Sequence, residues 1–247
     1  MTILFISDLH LEAGKPEIGD QFLDFLASEA LEARELYILG DLFEAWLGDD
    51  DPNPYYADMK SALRNVVEAD IAVKFMHGNR DFMIGQEFAA ETGVALLPDP
   101  LVIDLFGRRV LLSHGDALCT DDVHYQQVRA MTRNPEWQAM MMQKSLQERI
   151  AFAIEARQQS MARSETVSDE IMDVNQGAVE AIMREHAVDT MLHGHTHRPA
   201  VHEFELDGRA ATRIVLGDWY EQGSIVRWDE NGPRLEFMPR QDSLSET

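Results

Sequence analysis

Seven side chains of the types that bind metal ions occur in five short blocks of this 247-residue chain. The blocks are Asp8-Leu9-His10, Gly40-Asp41, Gly78-Asn79-Arg80-Asp81, His114-Gly115-Asp116 and Gly194-His195-Thr196-His197. They supply oxygen ligands together with imidazoles, a mixture that favours Mn²⁺, Fe²⁺ or Zn²⁺ over Ca²⁺, which takes oxygen alone. The set is too large for one ordinary ion. It therefore predicts two ions that share a bridging carboxylate and support the transfer of a phosphoryl group to water.

Most of these blocks directly follow a run of strand-like apolar residues, and the runs are 3–6, 36–39, 71–76, 110–112 and 191–192. Up to about residue 118, predicted strands alternate with predicted helices, which indicates a largely parallel sheet covered by helices. Side chains at successive strand ends of such a sheet meet at one edge, where open α/β folds bind ligands. The topology thus brings the five blocks together.

Local signals predict further elements. The periodicity predicts helices near 19–33, 54–69 and 81–92, and an almost wholly helical, methionine-rich stretch from 119 to about 187. Within that stretch, Asn134-Pro135 begins a helix that we expect over 134–157. Beyond the last block, turns at Asp207-Gly208 and Asn231-Gly232 predict β-hairpins.

The composition excludes several classes of function. The chain has 21 Lys and Arg against 44 Asp and Glu, a net charge of −23, which argues against binding to nucleic acid or electrostatic docking on anionic lipid. Its one cysteine, Cys119, forms no internal disulfide and is expected to be a small buried residue. No segment has the length of a signal-peptide core or a membrane span, so we expect a cytoplasmic protein.

The five blocks resemble the pattern of the calcineurin-like metallophosphoesterase superfamily, which is D-x-H, G-D, G-N-H-D/E, H and G-H-x-H. The resemblance implies an α/β fold of two facing mixed β-sheets flanked by helices. It also implies that one ion is bound by Asp8, His10, Asp41 and His197, and the other by Asp41, Asn79, His114 and His195, with Asp41 bridging.

The third block departs from the superfamily pattern, because Arg80 occupies the usual histidine position. A histidine can protonate a poor leaving group, whereas arginine keeps its proton and can only clamp and neutralise phosphate oxygens. The leaving group should therefore depart without a proton. A phosphate monoester meets this condition, since its second pKa is about 6. Cleavage of a pyrophosphate bond releases such a group.

Over roughly residues 1–240 the chain closely resembles one family within this superfamily, the diphosphatases that hydrolyse UDP-2,3-diacylglucosamine in lipid A biosynthesis. The matching stretches include 6–11, 40–46 and 192–199. The resemblance implies a hydrolase with two Mn²⁺ per chain, in which water attacks the α-phosphate to give UMP and 2,3-diacylglucosamine 1-phosphate. It also implies a core of 1–118 and 188–240, a helical lid of 119–187 over the acyl chains, and a flexible tail of 241–247.

The same resemblance implies roles for individual residues. The catalytic residues would be Asp41, Arg80 and His195, and the substrate-binding residues Asn79, Arg80, Asp122, Ser160, Ser164, Val167 and His195. Ser164 and Val167 occupy positions where relatives often have amide and lysine side chains, and Arg157 and Arg163 are the further cations expected near phosphate. The amphipathic lid implies a peripheral position on the cytoplasmic face of the inner membrane. We expect neither a nucleic-acid nor a protein partner.

Two other functions are weighed against this one. A cyclic-nucleotide phosphodiesterase or protein phosphatase expels an alkoxide and would favour a proton donor at position 80, so Arg80 counts against both. A scaffold protein without activity is the alternative from a different class. Relatives of that kind typically lose ligands, whereas this chain keeps a complete set.

Overall fold

A computed structural model describes residues 2–164 and 169–239, without the side chains at 161–164 and 169–170. Two mixed β-sheets face each other and carry helices on their outer surfaces, as expected. Ser164 (as a side chain), Val167 and the predicted tail at 241–247 lie outside the described residues. Within the described residues, no helix is both long and apolar enough to cross a bilayer.

The first sheet has the strand order β11-β10-β1-β2-β3-β4. Its strands are β1 (Ile3–Ile6), β2 (Glu35–Leu39), β3 (Ala72–Met76), β4 (Ala95–Leu97), β10 (Gln222–Asp229) and β11 (Gly232–Pro239). Strands β1 to β4 run parallel, whereas β10 and β11 are antiparallel additions at one side. The crossovers between the parallel strands contain α1 (Pro16–Ala27), α2 (Pro54–Glu68) and α3 (Gln86–Thr92).

The second sheet has the strand order β5-β6-β7-β9-β8. Its strands are β5 (Leu101–Leu105), β6 (Arg108–Leu112), β7 (Thr190–His193), β8 (Ala200–Leu206) and β9 (Arg209–Val215). Strands β6, β7 and β9 run parallel, and the antiparallel strands β5 and β8 form the edges. The β6–β7 crossover contains the helices α4 (Val123–Thr132), α5 (Pro135–Met142), α6 (Leu146–Ser164), α7 (Asp169–Met172) and α8 (Gln176–Glu185).

Successive side chains along a strand point to opposite faces of the sheet, and this alternation divides the core into three layers. In β1, Ile3 and Phe5 face the second sheet, whereas Leu4 and Ile6 pack under the helices of the first sheet. The third layer covers the outer face of the second sheet, where Met183 of α8 packs against strand residues such as Met191. The resulting order of layers is helix, sheet, sheet and helix.

The structure corrects four sequence predictions. The helix expected near 19–33 is α1, which ends at Ala27 and is followed by a short 3₁₀ helix at Glu29–Glu32. Helix α3 begins at Gln86 rather than at 81. The helix expected over 134–157 is two helices, α5 and α6, although Asn134 does cap the first of them by accepting a hydrogen bond from the backbone N–H of Glu136. The second hairpin turns at 230–231, so that Gly232 is already the first residue of β11.

Candidate metal centre and adjoining cavity

The five blocks follow the carboxyl ends of β1, β2, β3, β6 and β7, and their backbone is unusual. Five of the seven predicted ligands have a positive φ, namely Asp8 (57°), His10 (53°), Asp41 (53°), His195 (69°) and His197 (55°). Residues other than glycine rarely adopt this left-handed conformation, and clusters of it are typical of functional sites. The loops are therefore held in strained conformations that turn these side chains toward one another.

The first group of converging ligand atoms belongs to Asp8, His10 and His197, which offer atoms within 4.8 Å of one another. The Nε2 atoms of the two histidines lie 3.1 Å apart. Two nitrogen ligands about 2.1 Å from one metal ion would be separated by about 3.0–3.4 Å, so this spacing fits a shared cation. Oδ1 of the fully buried Asp8 lies 3.6 Å from His197 Nε2, beyond hydrogen-bond distance.

The carboxylate of Asp41 lies between two histidines of different blocks. Its Oδ2 atom is 3.8 Å from Nε2 of His10, and its Oδ1 atom is 3.8 Å from Nε2 of His114. Oδ1 also accepts a hydrogen bond of 2.8 Å from the backbone N–H of Arg80. One oxygen thus faces each histidine, an arrangement in which the carboxylate could bridge two cations.

The second group of ligand atoms surrounds the side-chain oxygen of Asn79. Asn79 Oδ1 is 2.9 Å from Nε2 of His114 and 2.8 Å from Nδ1 of His195. The backbone N–H of His195 donates a 2.9 Å hydrogen bond to Oδ2 of Asp8, which ties this group to the first one. All seven predicted ligands therefore meet at one edge of the two sheets.

The electrostatics of the cluster favour positive charge. Burial alone would lower the pKa of His114, but the carboxylates of Asp41 and Asp8 raise it to about 9. Burial would likewise lower the pKa of His197, which Asp218 and Asp8 raise to about 10. Burial works in the opposite direction on Asp8, yet the neighbouring histidines hold its pKa well below the usual range. Burial instead lowers the pKa of His10, and it lowers the pKa of His195 to about 4. The carboxylates that stabilise positive charge on the other two imidazoles would also attract divalent cations.

At two glycines the side chains of neighbouring blocks pack directly against the backbone, which allows the ligands to lie close together. A Cβ atom at Gly78 would collide with the Asp41 side chain, and one at Gly194 would collide with Ser7 and Asp8. Any larger residue at either position would push a ligand carboxylate away, which explains the glycine in these two blocks.

Two carboxylates that were not predicted from the sequence contact His10 and His197 on the side of each ring that faces away from the cluster. Oε2 of Glu44 lies 3.0 Å from Nδ1 of His10, and Oδ2 of Asp218 lies 3.3 Å from Nδ1 of His197. The backbone oxygen of Leu39 occupies the corresponding position 2.8 Å from Nδ1 of His114. In each case the opposite ring nitrogen, Nε2, faces the cluster. Partners of this kind fix the tautomer and orientation of histidines that bind metal.

Asp81 and Asp116, the last residues of the third and fourth blocks, have different contacts. The carboxylate of Asp81 accepts hydrogen bonds from the backbone N–H groups of Gly78 (2.8 Å) and Leu42 (2.7 Å), and so joins two ligand loops. The buried Asp116 instead accepts from Tyr125 and Arg129 of α4, at 3.0 and 2.8 Å. Asp81 thus supports the cluster, whereas Asp116 anchors a helix of the insertion.

A cavity of about 700 Å³ lies between the ligand cluster and the helical insertion. Among the predicted substrate-binding residues, its lining includes Asn79, Arg80, Asp122, Ser160 and His195. Asp122 is buried and caps α4 by accepting a 3.0 Å hydrogen bond from the backbone N–H of Tyr125. Arg157, predicted as a further cation, also lines the cavity.

Aromatic rings connect the core to the insertion along the cavity wall. Trp137 of α5 lies with its ring centroid 6.1 Å from Phe82 of the core and 5.7 Å from Phe152 of α6. The cavity therefore has a polar end at the ligand cluster and an apolar end among the helices. A long molecule with an anionic head and an apolar body would match this polarity.

Similarity to known proteins agrees with this geometry. Residues 1–199 match the calcineurin-like phosphoesterase family. The UDP-2,3-diacylglucosamine hydrolase of Stenotrophomonas maltophilia strain R551-3 is 52% identical, over 98% of this chain and 100% of the relative. Proteins of the same name from Chromohalobacter salexigens (51%; 94% and 95% covered) and Xanthomonas oryzae pv. oryzae strain PXO99A (49%; 96% and 98% covered) are similarly close. The chain therefore belongs to the calcineurin-like phosphoesterases and, within them, to the family of the UDP-2,3-diacylglucosamine hydrolases.

Proposed function

We propose that the protein hydrolyses the pyrophosphate bond of UDP-2,3-diacylglucosamine by attack of water on the α-phosphate, giving UMP and 2,3-diacylglucosamine 1-phosphate. The observation that carries this proposal is the cavity, which joins a complete set of metal-ligand side chains to an apolar helical insertion. The names of relatives that match over nearly the full chain support the same substrate. This reaction would contribute to lipid A biosynthesis.

We assign the seven ligands to two Mn²⁺ ions. Asp8, His10 and His197 would bind the first ion, Asn79, His114 and His195 would bind the second, and Asp41 would join them. The separate contacts of the two Asp41 oxygens support this bridging role. When bound, such a pair of ions activates water and neutralises charge on a phosphoryl oxygen.

Arg80 would bind the phosphate groups rather than transfer a proton. Its guanidinium lines the cavity beside the ligand cluster, and it remains charged throughout the physiological pH range. The bond that breaks joins the α-phosphorus to the bridging oxygen, and that oxygen leaves as part of a sugar 1-phosphate. Because a phosphate monoester is a stable anion near neutral pH, no acid is needed. Asp41, Arg80 and His195 form the proposed catalytic group.

The remaining substrate contacts follow from the cavity lining. Asn79, Asp122, Ser160 and His195 would contact the phosphates and the sugar, with Arg157 as an additional cation. Ser164 and Val167 stay predictions, since they fall outside the described residues.

The helical insertion would cover the acyl chains. Nine of the thirteen large hydrophobic side chains that are exposed among the described residues lie between positions 123 and 171, which supports contact with lipid. We accordingly keep 119–187 as the lid and propose a peripheral position on the cytoplasmic face of the inner membrane. Helix α8 packs on the second sheet, so the helices before it would be the ones that contact lipid.

A direct assay tests the function. The Mn²⁺-loaded protein is incubated with UDP-2,3-diacylglucosamine and, in parallel, with a generic aryl phosphodiester, and the release of UMP or aryl alcohol is measured. We expect rapid release of UMP and little turnover of the ester. Robust turnover of the ester alone would contradict the substrate assignment.

A further inference from the structure

Glu44 lies three positions after the bridging candidate Asp41 and is 5% exposed. The backbone holds it in place, because the N–H of Glu44 donates to the carbonyl of Leu11 (3.1 Å) and the N–H of Leu11 donates to the carbonyl of Leu42 (2.9 Å). The loop that carries Glu44 is thus fastened to the loop that carries His10. A buried carboxylate in a fixed position needs positively charged or hydrogen-bonding partners.

The two carboxylate oxygens of Glu44 contact different groups. Oε2 lies 3.0 Å from Nδ1 of His10, on the opposite side of the ring from the atom that faces the metal-ligand cluster. Oε1 lies 3.7 Å from Nη1 of Arg80 and forms an ion pair with Nη1 of Arg157. Arg80 belongs to a core loop, whereas Arg157 belongs to helix α6 of the insertion. Glu44 therefore contacts the metal-ligand cluster, the core and the insertion.

We propose that Glu44 is a positioning residue that couples the insertion to the metal centre: one oxygen orients His10, and the other holds Arg80 and Arg157 together at the wall of the cavity. This inference rests on the proposed function, since it takes the cavity to be the binding site of an acylated diphosphate. The inference adds Glu44 to the residues of the proposed site, as one that acts on substrate through His10, Arg80 and Arg157.

Charge explains why a carboxylate suits this position. Two guanidinium groups that face the same cavity repel each other, and an anion between them offsets the repulsion. The three charges leave a net charge of about +1, and the guanidinium N–H groups that Glu44 does not occupy remain available for phosphate oxygens. Because Arg157 comes from α6, the pair forms in full only when that helix lies against the core.

The first experiment measures metal binding without substrate. Mn²⁺ is titrated calorimetrically into metal-free wild type, Glu44→Ala, Glu44→Gln and the control Glu35→Gln, which alters a carboxylate paired with Arg34 and Lys74 away from the cavity. Loss of a partner that orients a metal-bound histidine typically costs about 10–100-fold in affinity, which we expect for Glu44→Ala. Glu44→Gln should restore most of this loss, because its amide oxygen can occupy the same position beside Nδ1 of His10.

The second experiment is a double-mutant cycle on kcat/KM for UDP-2,3-diacylglucosamine, with Glu44→Gln and Arg157→Ala alone and together. Residues in direct contact show non-additive effects, and we expect the effect of Arg157→Ala to shrink about 5-fold or more in the Glu44→Gln background. The same cycle between Glu35→Gln and Arg157→Ala should be additive.

The outcomes separate this inference from the proposed function. Unchanged Mn²⁺ affinity in Glu44→Ala would overturn the role toward His10, and additive effects of Glu44→Gln and Arg157→Ala would overturn the coupling to the insertion. If the wild type released no UMP, the proposed function would be wrong, whereas the titration would still test the contact with His10. Folding of each variant is checked by its thermal unfolding midpoint.

Discussion

The metal-ligand cluster and the helical insertion differ in how far their side chains are buried and supported by neighbouring groups. In the cluster, buried and partly buried residues lie on strained loops between two sheets, and three of the four imidazoles have a second contact on the side away from the cluster. In the insertion, helix α4 buries none of its described side chains, and α5 buries only Met141. Two aliphatic side chains one turn apart on α6 are exposed as well, Ile150 at 38% and Ile154 at 54%.

This difference in burial matches two different requirements, those of catalysis and those of lipid binding. Catalysis at a metal centre needs ligands held to within about half an ångström, and packed, doubly supported side chains provide that precision. Binding of flexible acyl chains needs adaptable apolar surface, which exposed methionine and aliphatic side chains provide. Variants of the cluster should therefore act on turnover and metal content, whereas variants of the insertion should act on recognition of the lipid.

The largest effect is expected at the cluster. Asp41→Ala removes the carboxylate between His10 and His114, so both of the proposed ions would lose a ligand. Metal ions contribute several kcal/mol to the stabilisation of a transition state, and we expect turnover to fall at least about 10³-fold. Metal content, measured by mass spectrometry, should fall with it. Full turnover with two bound ions would contradict the bridging role, and Asp104→Ala, in an exposed hairpin, is the control.

A smaller effect is expected at the boundary between the two regions. Arg80→Ala removes a fixed cation from the cavity wall but no metal ligand, so turnover should fall about 10²-fold with both ions retained. Arg80→Lys keeps the charge but not the planar fork of donors, and it should recover only part of the activity. A loss of metal in Arg80→Ala would show that the proposed role of this residue is wrong.

Within the insertion, the effect should depend on the substrate. Phe152→Ala removes an aromatic wall of the cavity that lies beside Trp137, and burial of such a side chain is worth about 1.5–3 kcal/mol. We expect KM for the diacylated substrate to rise about 10-fold or more, with little change for a soluble nucleotide diphosphate sugar. Phe237→Ala, at a similarly exposed phenylalanine of β11, is the matched control. Equal effects on both substrates would argue against an acyl-chain site.

The smallest effect is expected at Cys119. This thiol is buried, and burial with Asp116 nearby raises its pKa to about 12, so it stays protonated at neutral pH. Because only the thiolate reacts, iodoacetamide at pH 7.5 should label the native protein about 10³-fold more slowly than the urea-unfolded protein. Activity should survive the treatment. Labelling is measured by mass spectrometry. Rapid labelling of the native protein would show that the helices around Cys119 open readily.

Sequence reasoning located the metal-ligand cluster because its determinants are local. Each block follows its own strand, and parallel strands bring their carboxyl ends to one edge whatever the details of packing. The break between α5 and α6 also has a local signal in the sequence. Ser145 and Glu148 form a capping box, in which Glu148 Oε2 accepts from the backbone N–H of Ser145 at 2.8 Å.

The supporting residues that were not predicted contact residues that are distant in the sequence. Glu44 and Asp218 are two among 44 acidic residues, and nothing in their immediate neighbours indicates that each faces a histidine from a distant block. The late start of α3 has a similar cause. The carboxylate of Asp81 binds the backbone of Gly78 and Leu42, which draws this residue into the ligand loops instead of a helix.

The left-handed backbone at five of the proposed ligands limits how this centre can be transplanted. Each such residue costs roughly 1–2 kcal/mol, so five of them approach the roughly 5–15 kcal/mol by which a whole domain is stable. Peptides that copied these loops would relax to ordinary conformations and lose the geometry. An engineer who wanted this chemistry in a new protein would therefore have to move both sheets along with it.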